Sequence, residues 1–167
     1  MSKLPQLSPD RLFNSPLEVG LRTLIVLTEV GESCDLQRLT IYDYLLLHSG
    51  DLEDGPESLH PPSPFRTGEL LVKRAIIEKG LSLLCTKGLI SRSFDEAGIK
   101  YAATDVARPF LDYFDSNYAK RARSIATWIG PTFQNLDDQE LQTIIRKQFG
   151  QWGSEFVGET MAEEDLQ

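Results

Sequence analysis

Apolar residues recur at helical spacing over most of the chain, in stretches separated by short runs of glycine, proline and small polar residues. The first stretch opens at Ser15-Pro16-Leu17-Glu18. Ser15 suits the N-cap, Pro16 the first helical position, and Glu18 the reciprocal place of a capping box. Leu17, Leu21, Leu24 and Ile25 follow at helical intervals, Val26, Leu27 and Val30 widen the stripe, and Gly31 stops it. A second helix is expected to start at Asp35 and run through Leu36, Leu39, Tyr42, Leu45 and Leu46 to Gly50. From Ser49 to Pro64 periodicity gives way to Gly50, Gly55, Pro56, Pro61, Pro62 and Pro64, while Leu59 and two histidines remain. This composition predicts an ordered loop over 49–64, and loops of that length in compact domains tend to be functional. A third helix, from Phe65 or Thr67 to about Thr86, places Leu70, Ile77, Leu81 and Leu84 on one face. Gly80 inside it costs about 1 kcal/mol relative to alanine. Close approach of another helix backbone is a sufficient reason for it. Lys87-Gly88 closes the helix.

The period then changes. Leu89–Phe94, a turn at Asp95–Gly98 and Ile99–Ala103 read as a β-hairpin. Thr104 or Asp105 is expected to cap the next helix. Its ridge would be Phe110, Phe114, Tyr118, Ala122, Ile125 and Trp128 or Ile129, with a possible break near Asp115-Ser116-Asn117 and an end at Gly130-Pro131. Asp137-x-x-Glu140 opens a last amphipathic helix, with Leu141, Ile144, Ile145 and Phe149 on its buried side. Three helices, a hairpin and further helices are the order of a winged helix. The predicted fold class is mainly α: a winged-helix core with a C-terminal helical extension. Residues 1–11 are expected as a flexible arm and 12–130 as the winged-helix domain, including the 49–64 loop. A C-terminal helix follows at 131–152 and an acidic tail at 153–167.

Charge alters this picture more than composition does. The 167 residues, 41% hydrophobic, suit one soluble domain. With 25 acidic against 17 basic residues the net charge is -8, whereas autonomous DNA binding draws its affinity from a basic face. Lys73 and Arg74 on the third helix, with Arg92 and Lys100 in the hairpin, are the candidate nucleic-acid contacts. Glu69 and Glu78 are interleaved with these cations and favour intrahelical pairing on a solvated surface. Cys34 and Cys85, outside any C-x-x-C, are expected as free thiols in a reducing cytoplasm. No apolar run approaches a membrane span, and the N-terminus lacks the order of a secretory signal.

Candidate chemistry concentrates in Ile41-Tyr-Asp-Tyr-Leu-Leu-Leu-His-Ser-Gly-Asp51 and Leu59-His60-Pro61-Pro62. Asp43, His48, Asp51 and His60 match no zinc spacing, so no metal is expected. Ser58 beside His60 lacks an orienting third group, and the cysteines lack an activating site. Without a phosphate-binding glycine loop, any ATP chemistry belongs to a partner. The reading is no catalytic residue and no cofactor. Trp128 is expected in the core, and Trp152 as a docking residue.

Four blocks carry a family resemblance: Phe13-Asn-Ser-Pro-Leu-Glu18-x-Gly20-Leu-Arg22, Tyr42-Asp-Tyr-Leu-Leu-Leu-His48-Ser-Gly-Asp51, Pro56-Glu-Ser-Leu-His-Pro61 and Arg66-x-Gly68-Glu69-Leu70. Over about residues 12–130 they resemble the small middle component of ABC-three-component systems. That group includes the small C subunit of the Lamassu anti-phage complex. The resemblance implies a non-enzymatic adaptor between an SMC-like, DNA-sensing ATPase and an effector such as a nuclease, with DNA met only through the complex. Tyr42, Asp43, His48, Asp51, Ser58, His60, Arg66 and Glu69 would then shape or form the partner surface, with Trp152 beside them. A winged-helix transcription regulator is the alternative. It requires a homodimer and a contiguous basic face.

Overall fold

A computed structural model describes residues 15–61 and 66–150, with the side chains of 66–71, 149 and 150 left undescribed. Among the described residues it is mainly helical, with one two-stranded sheet. Helix α1 (Pro16–Val30) begins as its sequence requires. Ser15 Oγ accepts from the Glu18 N–H at 3.2 Å, Pro16 stands at the first position, and Gly31 ends the helix at φ 75°. Helix α2 (Leu36–Leu47) is capped by Asp35 and stops three residues short of Gly50. His48 closes it, and Ser49–Asp51 form a 3-10 turn. Helix α3 (Arg66–Thr86) ends in a Schellman motif. The Leu89 N–H bonds the Leu84 carbonyl, and Gly88, at φ 74°, bonds that of Cys85.

Strands β1 (Ile90–Asp95) and β2 (Gly98–Ala103) form the expected hairpin, with Arg92 opposite Tyr101 and Phe94 opposite Ile99. The segment between α1 and α2 joins it. Cys34 and Tyr101 exchange both backbone hydrogen bonds, at 2.9 and 2.8 Å, so one residue serves as a third strand. Thr104 does not cap a helix. Its hydroxyl bonds back to the Gly88 and Leu89 carbonyls and closes the hairpin base. The break expected near Asp115-Ser116-Asn117 is present and divides the segment into α4 (Ala107–Leu111) and α5 (Asn117–Phe133), the latter capped by Ser116. The ridge is therefore corrected. Ala119, Ala122, Ile125, Ala126, Ile129 and Phe133 are buried, whereas Phe114 and Tyr118 are not, and Trp128 is half-buried against Phe133. Helix α5 also runs through Gly130-Pro131. Proline there removes one hydrogen bond near the end, and burial of Ile129 and Phe133 holds the last turn in place. Helix α6 (Asp138–Gly150) starts with a reciprocal Asp137–Glu140 capping box and buries Leu141 and Ile145.

Helix α1 is the axle of the fold. It packs α3 on one side and α5 on another, and ten of its fifteen residues are buried. The α1–α3 crossing is glycine on glycine. A Cβ added at Gly80 would sit 2.7 Å from the Pro16 carbonyl oxygen and 2.8 Å from the Gly20 nitrogen. These are backbone atoms, which cannot swing aside. The helix-propensity cost of Gly80 is thus offset by an approach no other residue permits. Alanine would regain about 1 kcal/mol of propensity, but overpacking a fixed backbone costs about 1–3 kcal/mol. Gly80→Ala should lower stability by a net amount of up to about 2 kcal/mol, measured as an earlier urea midpoint at unchanged slope.

Candidate functional site

The chemistry-bearing residues of the second helix and the loop converge on the α1–α2–α3 junction. Arg22 Nε donates to Asp43 Oδ1 at 2.9 Å and its Nη2 to Oδ2 at 3.1 Å, a bidentate pair with both side chains at least 97% buried. Lys73 Nζ lies 3.9 Å from the same carboxylate and is itself 5% exposed. Burial alone would raise the Asp43 carboxyl, but the charge and hydrogen bonds of Arg22, with Lys73 behind them, outweigh it. The group is held below the usual carboxylate range.

A second branch leaves Arg22 toward Tyr118 of α5, to which it is also hydrogen-bonded. Tyr118 Oη lies 2.8 Å from His60 Nε2. Arginine can only donate, so the phenol oxygen accepts from it. Burial, with the positive charges of Arg22 and Lys73, pushes the His60 imidazole down to about 4, so it stays neutral near pH 7.

The rest of the loop is fastened from within. Tyr44 donates to Asp51 at 2.7 Å, the Gly50 N–H to Ser58 Oγ at 2.9 Å, Ser49 Oγ to the Glu57 carbonyl, and the His60 N–H to the Leu47 carbonyl. Arg121 of α5 holds the Ser58 carbonyl at 2.9 Å. Gly55 is obligatory, since a Cβ there would fall 1.9 Å from the Ser49 carbonyl oxygen.

The expected contact residues fall in this geometry as follows. Tyr42 and Asp43 are buried, as is His48, which stacks obliquely on Tyr44 with ring centres 5.3 Å apart. None of the three offers a surface to a partner; they hold the helices together. Lys73 is withdrawn from nucleic acid for the same reason, because it faces Asp43. Asp51, Ser58 and His60 are half-buried and committed to the loop. Arg74 and Arg92 are exposed, and Lys100 is paired with Asp95 at 3.6 Å. Arg66 and Glu69 lie on α3 with undescribed side chains, and Trp152 lies outside the described residues. The network also contains two residues not singled out from sequence. Arg22 interrupts the apolar stripe of α1, and Tyr118 stands one turn before the buried face of α5. A charge inside such a stripe was the available signal. Lys73, four residues before Ile77, repeats it.

Among the described residues no three His, Cys, Asp or Glu side chains come together to hold a metal ion, and no helix is long and apolar enough to cross a membrane. Both cysteines are free, and burial pushes the Cys34 thiol up to about 12, far from a nucleophile. A family model described as ABC-three component (ABC-3C) system Middle Component 2 matches residues 12–155. The chain belongs to that family. It is therefore one component of a multi-component assembly, with protein partners. No curated protein and no solved structure matches it. The match covers every described element, and it takes in both the ionic network and the loop.

Two measurements test the network. Asp43→Asn leaves two buried cations facing a neutral amide and should cost about 3–5 kcal/mol in urea unfolding, the penalty typical of a broken buried pair. For His60 the sign follows from linkage. Its folded value is near 4 and the unfolded value near 6.5, so between them the unfolded chain binds more protons. Stability should fall as the pH drops from about 6.5 to about 4. In His60→Gln the difference between urea midpoints at pH 7 and pH 5 should shrink.

Proposed function

We propose that this chain is a non-enzymatic adaptor of a bacterial anti-phage complex of the Lamassu kind. It links an SMC-like, DNA-sensing ATPase to an effector such as a nuclease and restrains the effector until DNA is recognised. Membership of the middle-component family over residues 12–155 carries the reading. The arrangement of the chemistry-bearing groups supports it. Asp43, His48, Lys73 and His60 are consumed in fastening helices and loop, and none is set in a cleft beside a nucleophile. The core reads as a winged helix. In favour are three helices followed by a hairpin, with Cys34 as the short first strand against β2. In such a core α3 and the hairpin would meet DNA in a regulator. That alternative is weakened by the loss of Lys73 to the interior and by the net charge of -8. A protein-docking role does not require the basic face that a regulator does.

Co-expression of the full chain with the other components of its own system tests the proposal. The tagged chain should retain both a coiled-coil ATPase and an effector through gel filtration. Alone, it should bind duplex DNA at physiological salt no tighter than about 10⁻⁴ M. A solitary homodimer that binds DNA tightly would overturn the adaptor in favour of the regulator.

A further inference from the structure

An apolar cavity of about 230 Å³ opens between the N-terminal half of α1 and the α4–α5 junction. Leu21, Ile25, Leu111, Phe114 and Tyr118 form its walls, and Glu18 stands at its edge. Three observations bear on what enters it. The first is volume. A cavity of about 150 Å³ takes a benzene ring, whereas drug-sized ligands occupy about 300 Å³ or more. The space therefore suits one large side chain better than a metabolite. The second is an apolar approach. Leu17 lies one helical turn before Leu21 on the same stripe and is 52% exposed, and Phe114 and Tyr113 stand exposed on the opposite side. The third is charge. Arg22, the cation of the lining, is already engaged by Asp43 and Tyr118. One oxygen of Glu18, Oε2, is buried and has no hydrogen-bond partner. Glu18 is the acidic residue among the lining side chains, so the unanswered charge of the cavity is negative.

We propose that this groove docks a basic-apolar segment of another component of the same system. One aromatic or aliphatic side chain would fill the cavity, and a neighbouring Lys or Arg would pair with Glu18. The inference rests on the adaptor reading and adds to it the place and the chemistry of one contact. An apolar anchor in a fitted pocket with a cation at its rim is the usual composition of an interface hot spot. It also answers the desolvation of Glu18, whose buried oxygen gains a donor when the partner arrives. The Tyr118 ring serves both the cavity wall and the network to His60, so the docking face is tied to that network.

The test uses the full chain co-expressed with the other components of its system. A photocrosslinking phenylalanine analogue replaces Leu17 in one preparation and the exposed Ser82 of α3 in a control, and mass spectrometry reads the linked peptides. Leu17 should link to a segment of another component in which an apolar residue lies within a turn of a Lys or Arg, and Ser82 should not. Glu18→Lys and Phe114→Ala should each weaken retention of that component by about tenfold or more, with melting curves confirming that the variants fold. The crosslink is made on a chain with Glu18 and Phe114 intact, so it decides the matter if a variant unfolds. Linkage to residues 1–14 of the same chain, to a second copy, or to an acidic segment overturns the proposal. So does a complex that forms normally with both variants, and in that case the adaptor reading stands. Failure of the unaltered chain to retain any component overturns both.

Discussion

The bidentate pair between Arg22 and Asp43 is the constraint on which the rest of the structure turns. It joins α1 to α2 with both groups out of water, and Lys73 brings α3 to the same carboxylate. Such a pair adds little net stability over a hydrophobic isostere, because desolvation cancels much of the attraction. Its effect is on geometry. Two parallel hydrogen bonds fix the rotation of one helix against the other in a way that leucines packing on leucines do not. The glycine crossing of α1 and α3 acts in the same direction by allowing one depth of contact. Both restrictions fall within three residues of each other on α1, so that helix cannot shift in register without breaking one or the other.

From this centre the order of the loop follows. Arg22 holds Tyr118, Tyr118 holds His60, and His60 bonds through its N–H to the end of α2. Asp51 and Ser58 complete the fastening from inside the loop. A run of residues that looks reactive in one dimension is thereby spent on architecture. The exposed face of the loop is left to Glu53, Asp54 and Glu57.

The C-terminal helices are attached by a smaller version of the same device. Arg38 of α2 reaches the Gln134 and Leu136 carbonyls at the α5–α6 link and pairs with Asp138 at 3.4 Å. It also lies over the Tyr42 ring. The helix that bears the central carboxylate thus carries, one turn earlier, the cation that sets the direction of α6.

Local signals in the sequence determined the element order, the caps at Ser15, Asp35 and Asp137, the stops at Gly31 and Gly88, and the hairpin. Each depends on residues within about a turn of one another, which is where capping and φ > 0 preferences act. The Gly80 crossing was also legible as a need, because a glycine inside a helix has a cost that something must offset. Tertiary structure alone decided which inward charges meet. Lys73 stands in the stripe of Ile77, but nothing local to it or to Asp43 names a partner. Only the arrival of Arg22 from α1 makes the burial of Asp43 tolerable, and Asp43 in turn that of Lys73. The division near 115–117 was legible locally, since Ser116 caps α5, whereas the exposure of Phe114 and Tyr118 beside it was decided by the tertiary structure. The apolar ridge alone does not say which of its positions meet the core, and α5 buries Ala119, Ala122 and Ile125 there.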